Sequence, residues 1–186
     1  MSSKPRFEAP DYKGSGKLDG RAALITGGDV RDSLFCDAAV DAVARMFGGL
    51  DILVNNAAFQ RHQESIEDLT DDQIERTFQT NIFGYIYMAR AATKRMPRGS
   101  TIINTGSITG LEGSGQLLDY SATKGAIHAF TKSLAQNLVK KGIRVNCVAP
   151  GPIWTPPAYV FFASPVDSSY ITGEVLTLLG GETTAA

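Results

Sequence analysis

Short apolar runs recur along the chain, and most end on residues that turn a backbone. Ala22 to Ile25 stops at Thr26-Gly27-Gly28, Ile52 to Val54 at Asn55-Asn56, and Thr101 to Ile103 shortly before a glycine-rich loop. Arg144 to Ala149 stops at Pro150-Gly151, and Val175 to Leu178 follows Ile171-Thr172-Gly173. An unbroken apolar run leaves no polar face for water, so Ala22 to Ile25 reads as a strand buried on both sides, as in parallel sheets. Between the runs the apolar residues fall at helical spacing. Ser33 to Phe47 offers Leu34, Phe35, Ala38, Ala39, Ala42, Val43, Met46 and Phe47, and Gly48-Gly49 ends it. Thr70 and Gln73 form a capping box for a helix reaching about Met96, with Ile74, Phe78, Ile82, Tyr85, Ile86 and Ala89 inward. A third helix, Tyr120 to Lys141, buries Ile127, Phe130, Leu134 and Leu138 before Gly142. This alternation predicts an α/β fold, a doubly wound parallel sheet with helices on both faces and every crossover right-handed. Residues 1–20 read as a polar arm, and 21–186 as one domain.

The helix that starts at Tyr120 carries the chemistry. Tyr120 and Lys124 are four apart and share a face, next to a loop with Ser107, Gly110, Gly113 and Gly115. A tyrosine ordinarily titrates near about 10, and a neighbouring ammonium favours its phenolate, so Lys124 would fit Tyr120 to exchange a proton with a substrate oxygen. An exposed aromatic beside a solvated charge is the plain alternative for this pair. Asn55 and Asn56 could serve simply as turn residues. Asn81 and Gly84 are weak helix formers inside a helix, so something other than propensity holds them there.

Ser107, Tyr120 and Lys124, with Asn55 to Ala58 and Pro150-Gly151, resemble the motifs of the short-chain dehydrogenase/reductase family in their order. The Ser...YxxxK pattern is complete; NNAG appears as Asn55-Asn56-Ala57-Ala58, with alanine for the last glycine. The resemblance covers nearly all of residues 10 to 182 and points to bacterial, stress-associated oxidoreductases similar to glucose dehydrogenase. It implies a Rossmann-like fold and an NAD(P)-dependent oxidoreductase that interconverts an alcohol and a carbonyl. Tyr120 would carry the proton, Lys124 would lower its pKa and hold the nicotinamide ribose, Ser107 would bind the substrate oxygen, and Asn81 would complete a proton relay from a locally distorted helix. The rival account of Asn81 is a hydrogen bond across a helix interface. Cofactor contacts would come from Thr26, Gly27, Gly28, Asp29, Val30, Asn55, Ala57, Tyr120, Lys124, Pro150, Gly151 and Ile153, with NAD and NADP both open. Leu111, Leu118 and Trp154 would line a partly apolar substrate site. The small residues Ala122, Gly125, Ala129 and Ser133 form a face suited to close helix approach, and relatives build their subunit interface there, so a homo-oligomer, a tetramer, is expected.

Two contractions set the chain apart from the family pattern. Thr26-Gly27-Gly28 matches only the opening of the TGxxxGxG loop, and Asp29-Val30 already resembles the end of the family's third strand. The 29 positions from Thr26 to Asn55 leave room for one strand-helix-strand unit of about 30 residues, so the second and third strands are missing. A second contraction follows Thr155-Pro156, where the family carries a lid. If those segments exist without assigned positions, the Cα path should break between Gly28 or Asp29 and Val30, and again from Thr155 to Ala158. A chain genuinely this short would instead leave its first strand at a sheet edge.

Composition narrows the alternatives. A net charge of −1 over 186 residues gives no basic field for nucleic acid or acidic membranes. No apolar run approaches the roughly 20 residues of a membrane span, and the polar N-terminal stretch lacks a signal peptide's core. Cys36 and Cys147 show no metal-ligand spacing and read as buried reduced thiols of a cytoplasmic protein. Ser121 to Lys124 also spells SxxK, the start of a serine acyl-enzyme site, but its SDN and KTG partners are missing. The remaining alternative to the oxidoreductase is a catalytically silent, oligomer-forming relative.

Overall fold

A computed structural model describes residues 13 to 180, apart from Trp154. Residues 1–12 of the polar arm and Trp154, expected beside the substrate, lie outside the described residues. Five strands, β1 (Ala23–Ile25), β2 (Ile52–Asn55), β3 (Thr101–Thr105), β4 (Arg144–Pro150) and β5 (Val175–Leu178), form one parallel sheet in chain order. The register lines up Leu24, Leu53, Ile102 and Val145 in one row. This row faces a core built with Cys36 and Val40 of α1 (Ser33–Phe47), Met88 and Ala92 of α3 (Gly84–Ala92), and Ala135 and Leu138 of α5 (Leu118–Leu138). On the opposite face, Ile52, Val54, Ile103 and Val148 pack against Ala158 and Phe162 of α6 (Pro156–Ala163). Among the described residues, helices thus cover both faces of a Rossmann-like sheet without the second and third strands.

The sheet corrects two expectations. Its order never reverses, so β1 is an edge strand and Ile25 is 65% exposed instead of buried on both sides. The first three crossover helices share one face while α6 lies on the other, so the last crossover has the opposite hand to the rest. Among the described residues, α6 is the helix that contributes buried residues to that second face, and burying its apolar row outweighs the common-handedness rule. At both contracted junctions the backbone closes in a short turn: Val30 N donates to Gly28 O at 3.1 Å, and Ala158 N to Thr155 O at 3.0 Å.

Local signals explain the helices. Asp32 caps α1, accepting from Leu34 N, and Gly48 closes it at φ 78°. Its buried side carries Cys36 and Val40, whereas Leu34, Met46 and Phe47 are exposed, so the inward stripe lies beside the expected one. Apolar spacing alone does not choose between two adjacent stripes. Thr70 caps α2 (Asp71–Phe78) through Gln73 N, and a π-helical turn, Gln79–Phe83, joins α2 to α3. Arg144 holds α6 by its C-terminal end, donating to the carbonyl of Phe162 at 3.0 Å, where a helix's partial negative charge gathers.

Candidate active site

The chemistry-bearing residues gather at the carboxyl ends of β2, β3 and β4. Tyr120 stands in the first turn of α5, and the preceding residue fixes that turn. Asp119 is buried and accepts from Tyr120 N at 2.9 Å, Thr77 Oγ1 at 2.5 Å and Gln73 Nε2 at 3.2 Å. The short helix α4 (Thr109–Glu112) brings Ser107 alongside. Gly110 makes that approach possible, because a Cβ there would lie 2.6 Å from the Lys124 carbonyl carbon and 2.7 Å from Gly125 N. Ser107 is buried and accepts from Thr109 N at 3.2 Å, and its hydroxyl lies on the Tyr120 side. Ile108 N donates to Pro150 O at 3.2 Å, which draws the Pro150-Gly151 turn to the same edge. Ile153 follows, its N–H donating to Gly151 O at 2.8 Å.

Lys124 is wholly buried, and its Nζ donates to the Thr105 carbonyl at 2.6 Å. Burial lowers its pKa to about 8, since desolvation penalises the ammonium. The nitrogen lies 5.3 Å from the centre of the Tyr120 ring. The expected depression of the Tyr120 pKa is not found. Burial raises it, and the nearby Ser107 hydroxyl only partly opposes the rise. Tyr120 therefore keeps its proton at neutral pH.

Asn81 sits in the π-helical turn, so the helix is distorted there, and its amide also spans an interface. Oδ1 accepts from Phe59 N at 2.7 Å, while Nδ2 donates to Phe59 O at 2.9 Å and to Thr123 Oγ1 at 3.0 Å. Asn55 is buried and donates to Asn104 Oδ1 at 2.9 Å, and Asn104 in turn donates to Thr131 of α5. Thr26 binds the neighbouring turn, its Oγ1 accepting from Asn56 N at 2.9 Å and Ala57 N at 3.1 Å. The acyl-enzyme alternative fails on geometry: Ser121 Oγ is buried without a hydrogen-bond partner, and Lys124 points to Thr105.

Gly27, Gly28, Asp29 and Val30 follow the edge strand, and Gly28, Asp29 and Val30 share a cavity with Ala58, Phe59, Arg76 and Thr80. A nicotinamide dinucleotide needs two half-sites, and the residues fit only one. Hydroxyls of Tyr120 and Ser107 with the three donors of Lys124 are a donor set suited to a ribose and a reacting carbonyl. The diphosphate side does not match. A Cβ on Gly28 would meet the Phe35 ring at 2.7 Å, so that glycine faces a side chain rather than an open cradle, and the Asp32 carboxylate already caps the helix that follows.

Sequence reasoning missed Thr105, Asp119 and Tyr159. Thr105 acts through its backbone carbonyl and left no side-chain signal. Tyr159 reaches the site from α6, its hydroxyl 2.9 Å from Thr105 Oγ1. Asp119 was detectable as an acidic residue in the first turn of α5.

The short chain dehydrogenase pattern matches residues 12–161. The chain is 44% identical over 204 residues to the uncharacterized oxidoreductase YhxC of Bacillus subtilis (strain 168), covering 94% of this chain and 71% of that protein. It is 37% identical to the glucose and ribitol dehydrogenase of Daucus carota over 266 residues, covering 97% of this chain and 91% of the relative. That alignment is longer than this chain, so the surplus belongs to segments with no counterpart here. A short chain dehydrogenase from Burkholderia cenocepacia J2315, solved with NADP, superposes with a TM-score of 0.74 at 32% identity, covering 83% and 74% of the two chains. Fold, motif order and site together define an oxidoreductase of the Rossmann type. The chain belongs to the short chain dehydrogenase family.

Proposed function

We propose that the chain interconverts an alcohol and a carbonyl compound, with Tyr120 as the proton carrier. The observation that carries this reading is the convergence of Tyr120, Ser107 and the buried Lys124 at one sheet edge. When bound, a nicotinamide nucleotide, NAD or NADP, supplies the hydride chemistry. Ser107 donates a hydrogen bond to the substrate oxygen, and Tyr120, protonated at neutral pH, delivers its proton to that oxygen as it gains charge. The raised pKa of Tyr120 suits carbonyl reduction. Lys124 orients the ribose, and Asn81 holds the Phe59 backbone beside the site. The sugar-alcohol chemistry in the carrot relative's name fits this substrate class. A cytoplasmic homotetramer accompanies the proposal, with the exposed Ala122, Ala129 and Ser133 of α5 as the contact face.

Tyr120→Phe should abolish turnover of aldehydes and ketones while leaving the circular dichroism and melting temperature intact. Retained turnover would remove Tyr120 from the mechanism. A second reading, a silent oligomer-forming relative, draws support from the edge position of β1 and the filled diphosphate side. Absence of nicotinamide-nucleotide binding together with a stable tetramer would select it.

A further inference from the structure

We infer that this chain holds its nicotinamide nucleotide through the nicotinamide mononucleotide half alone, leaving the adenosine half without a site of its own. The inference rests on the oxidoreductase reading above and specifies which part of the ligand is recognised. In a dinucleotide-binding sheet the diphosphate lies on the helix N-terminus after the first strand, and an acidic residue at the end of the next strand holds the adenosine ribose. Both supports are replaced here. Beyond β1 there is no further strand in the sheet among the described residues, so the position of the ribose carboxylate is solvent.

The diphosphate position is altered in three ways. The Phe35 ring packs on Gly28, where a Cβ would approach it to 2.7 Å. One N–H at the start of α1, that of Leu34, donates to the Asp32 carboxylate at 2.8 Å, so an incoming diphosphate meets a negative charge. Arg31 cannot offset that charge freely, because its Nε and one terminal nitrogen both bind the Asp29 carboxylate at 2.7 Å. Arg76 lines the same cavity as Gly28, Asp29 and Arg31, but its guanidinium is stacked 4.2 Å above the centre of the Phe59 ring. The residues that meet the nicotinamide and its ribose, by contrast, come from β2, β3, β4 and α5, which the contraction leaves whole.

The test titrates the full chain with reduced nicotinamide mononucleotide, NADH, NADPH and ADP-ribose, by calorimetry and by nicotinamide fluorescence. The mononucleotide should bind within about threefold of NADH and NADPH, and ADP-ribose should neither bind nor compete. Asp32→Ser keeps a good helix cap and removes the carboxylate. With the Phe35 ring still on Gly28 and no strand beyond β1, it should leave mononucleotide affinity unchanged and raise dinucleotide affinity by no more than about threefold. Dinucleotide binding by the parent more than about thirtyfold tighter than mononucleotide binding would overturn the inference, as would competition by ADP-ribose. Those results would leave the proposed function standing. Binding of none of the nicotinamide ligands would overturn the proposed function itself, and the inference with it.

Discussion

Lys124 Nζ lies 2.6 Å from the Thr105 carbonyl oxygen, which also accepts from the Tyr85 hydroxyl at 3.3 Å. One backbone oxygen at the end of β3 thus ties the sheet to α3 and α5 at the point where the site is built. The bond to an ionised donor is a strong one. It is still insufficient to offset the loss of water around a fully buried ammonium, and the pKa falls to about 8.

That depression has a direct effect on stability. Between pH 8 and the unfolded value of 10.5 the unfolded chain holds more protons on this lysine than the folded one, so stability rises with pH across that window. Below pH 8 the cost of the buried charge is fully present. This lysine alone contributes a gain of about 1 kcal/mol between pH 7.5 and 9. Cys36 and Cys147, with pKa values raised to about 11 and about 12, work in the opposite direction as pH approaches the ordinary thiol value of 9.0, where the unfolded thiols ionise and the folded ones do not, so urea unfolding should show a net gain of roughly half that. Lys124→Met should be more stable than the parent at pH 7 and lack the rise. An identical rise in both proteins would assign it to another group.

The clamp between Asn81 and Phe59 makes a separate prediction. Asn81→Ala leaves both Phe59 backbone groups without their side-chain partner, with a cost of about 2–3 kcal/mol. Chemical denaturation measures it directly. An unchanged stability with lost turnover would assign Asn81 to the proton relay and remove its structural role.

The parts of this fold that were legible in the sequence rested on local chemistry. Thr70 and Gln73, Gly48 and Gly142 marked helix ends that the structure reproduces, because a cap acts through residues within one turn of it. The order Asn55, Asn81, Ser107, Tyr120, Lys124 and Pro150 was readable for the same reason, since motif spacing is a property of the chain. What depended on neighbours was not readable. Ile25 carries a core residue's chemistry, and its exposure follows from a strand that is missing beside it. The inward stripe of α1 was misread because Cys36 and Val40 meet α3 only after folding. The Tyr120 pKa went in the direction opposite to expectation because helical spacing shows proximity to Lys124 and says nothing of burial.

Gly110 is where the Ser107 loop touches the turn of α5 that bears Lys124. A methyl group there would press on the backbone of Lys124 and Gly125, atoms that cannot rotate away, and on His128 Cε1 at 2.8 Å. Gly110→Ala should cost roughly 1–3 kcal/mol and separate Ser107 from Tyr120. Gly113→Ala makes a different comparison: a Cβ there meets nothing within 4 Å, and the penalty comes from its φ of 77° alone. Nicotinamide-nucleotide affinity measured on both variants distinguishes them, falling for Gly110→Ala and holding for Gly113→Ala. Equal losses would show that the loop's contact with α5 does not set the site.

The edge position of β1 gives the sharpest test of the topology. Ile25 pairs in register with Val54, yet Ile25 is 65% exposed and Val54 is 7% exposed, because no helix or strand covers the outer end of that row. Ile25→Lys should change stability by no more than about 0.5 kcal/mol, the usual range for a surface substitution. Val54→Lys, one strand further in, buries an unpaired ammonium against α6 and should cost several kcal/mol. Lysine on an exposed edge also opposes strand pairing between molecules, so Ile25→Lys should raise the concentration at which the protein aggregates on warming. Denaturation midpoints of the two variants, measured side by side, decide the matter. If Ile25→Lys destabilises as severely as Val54→Lys, β1 is flanked and covered in solution, and the five-stranded order with β1 at its edge is wrong.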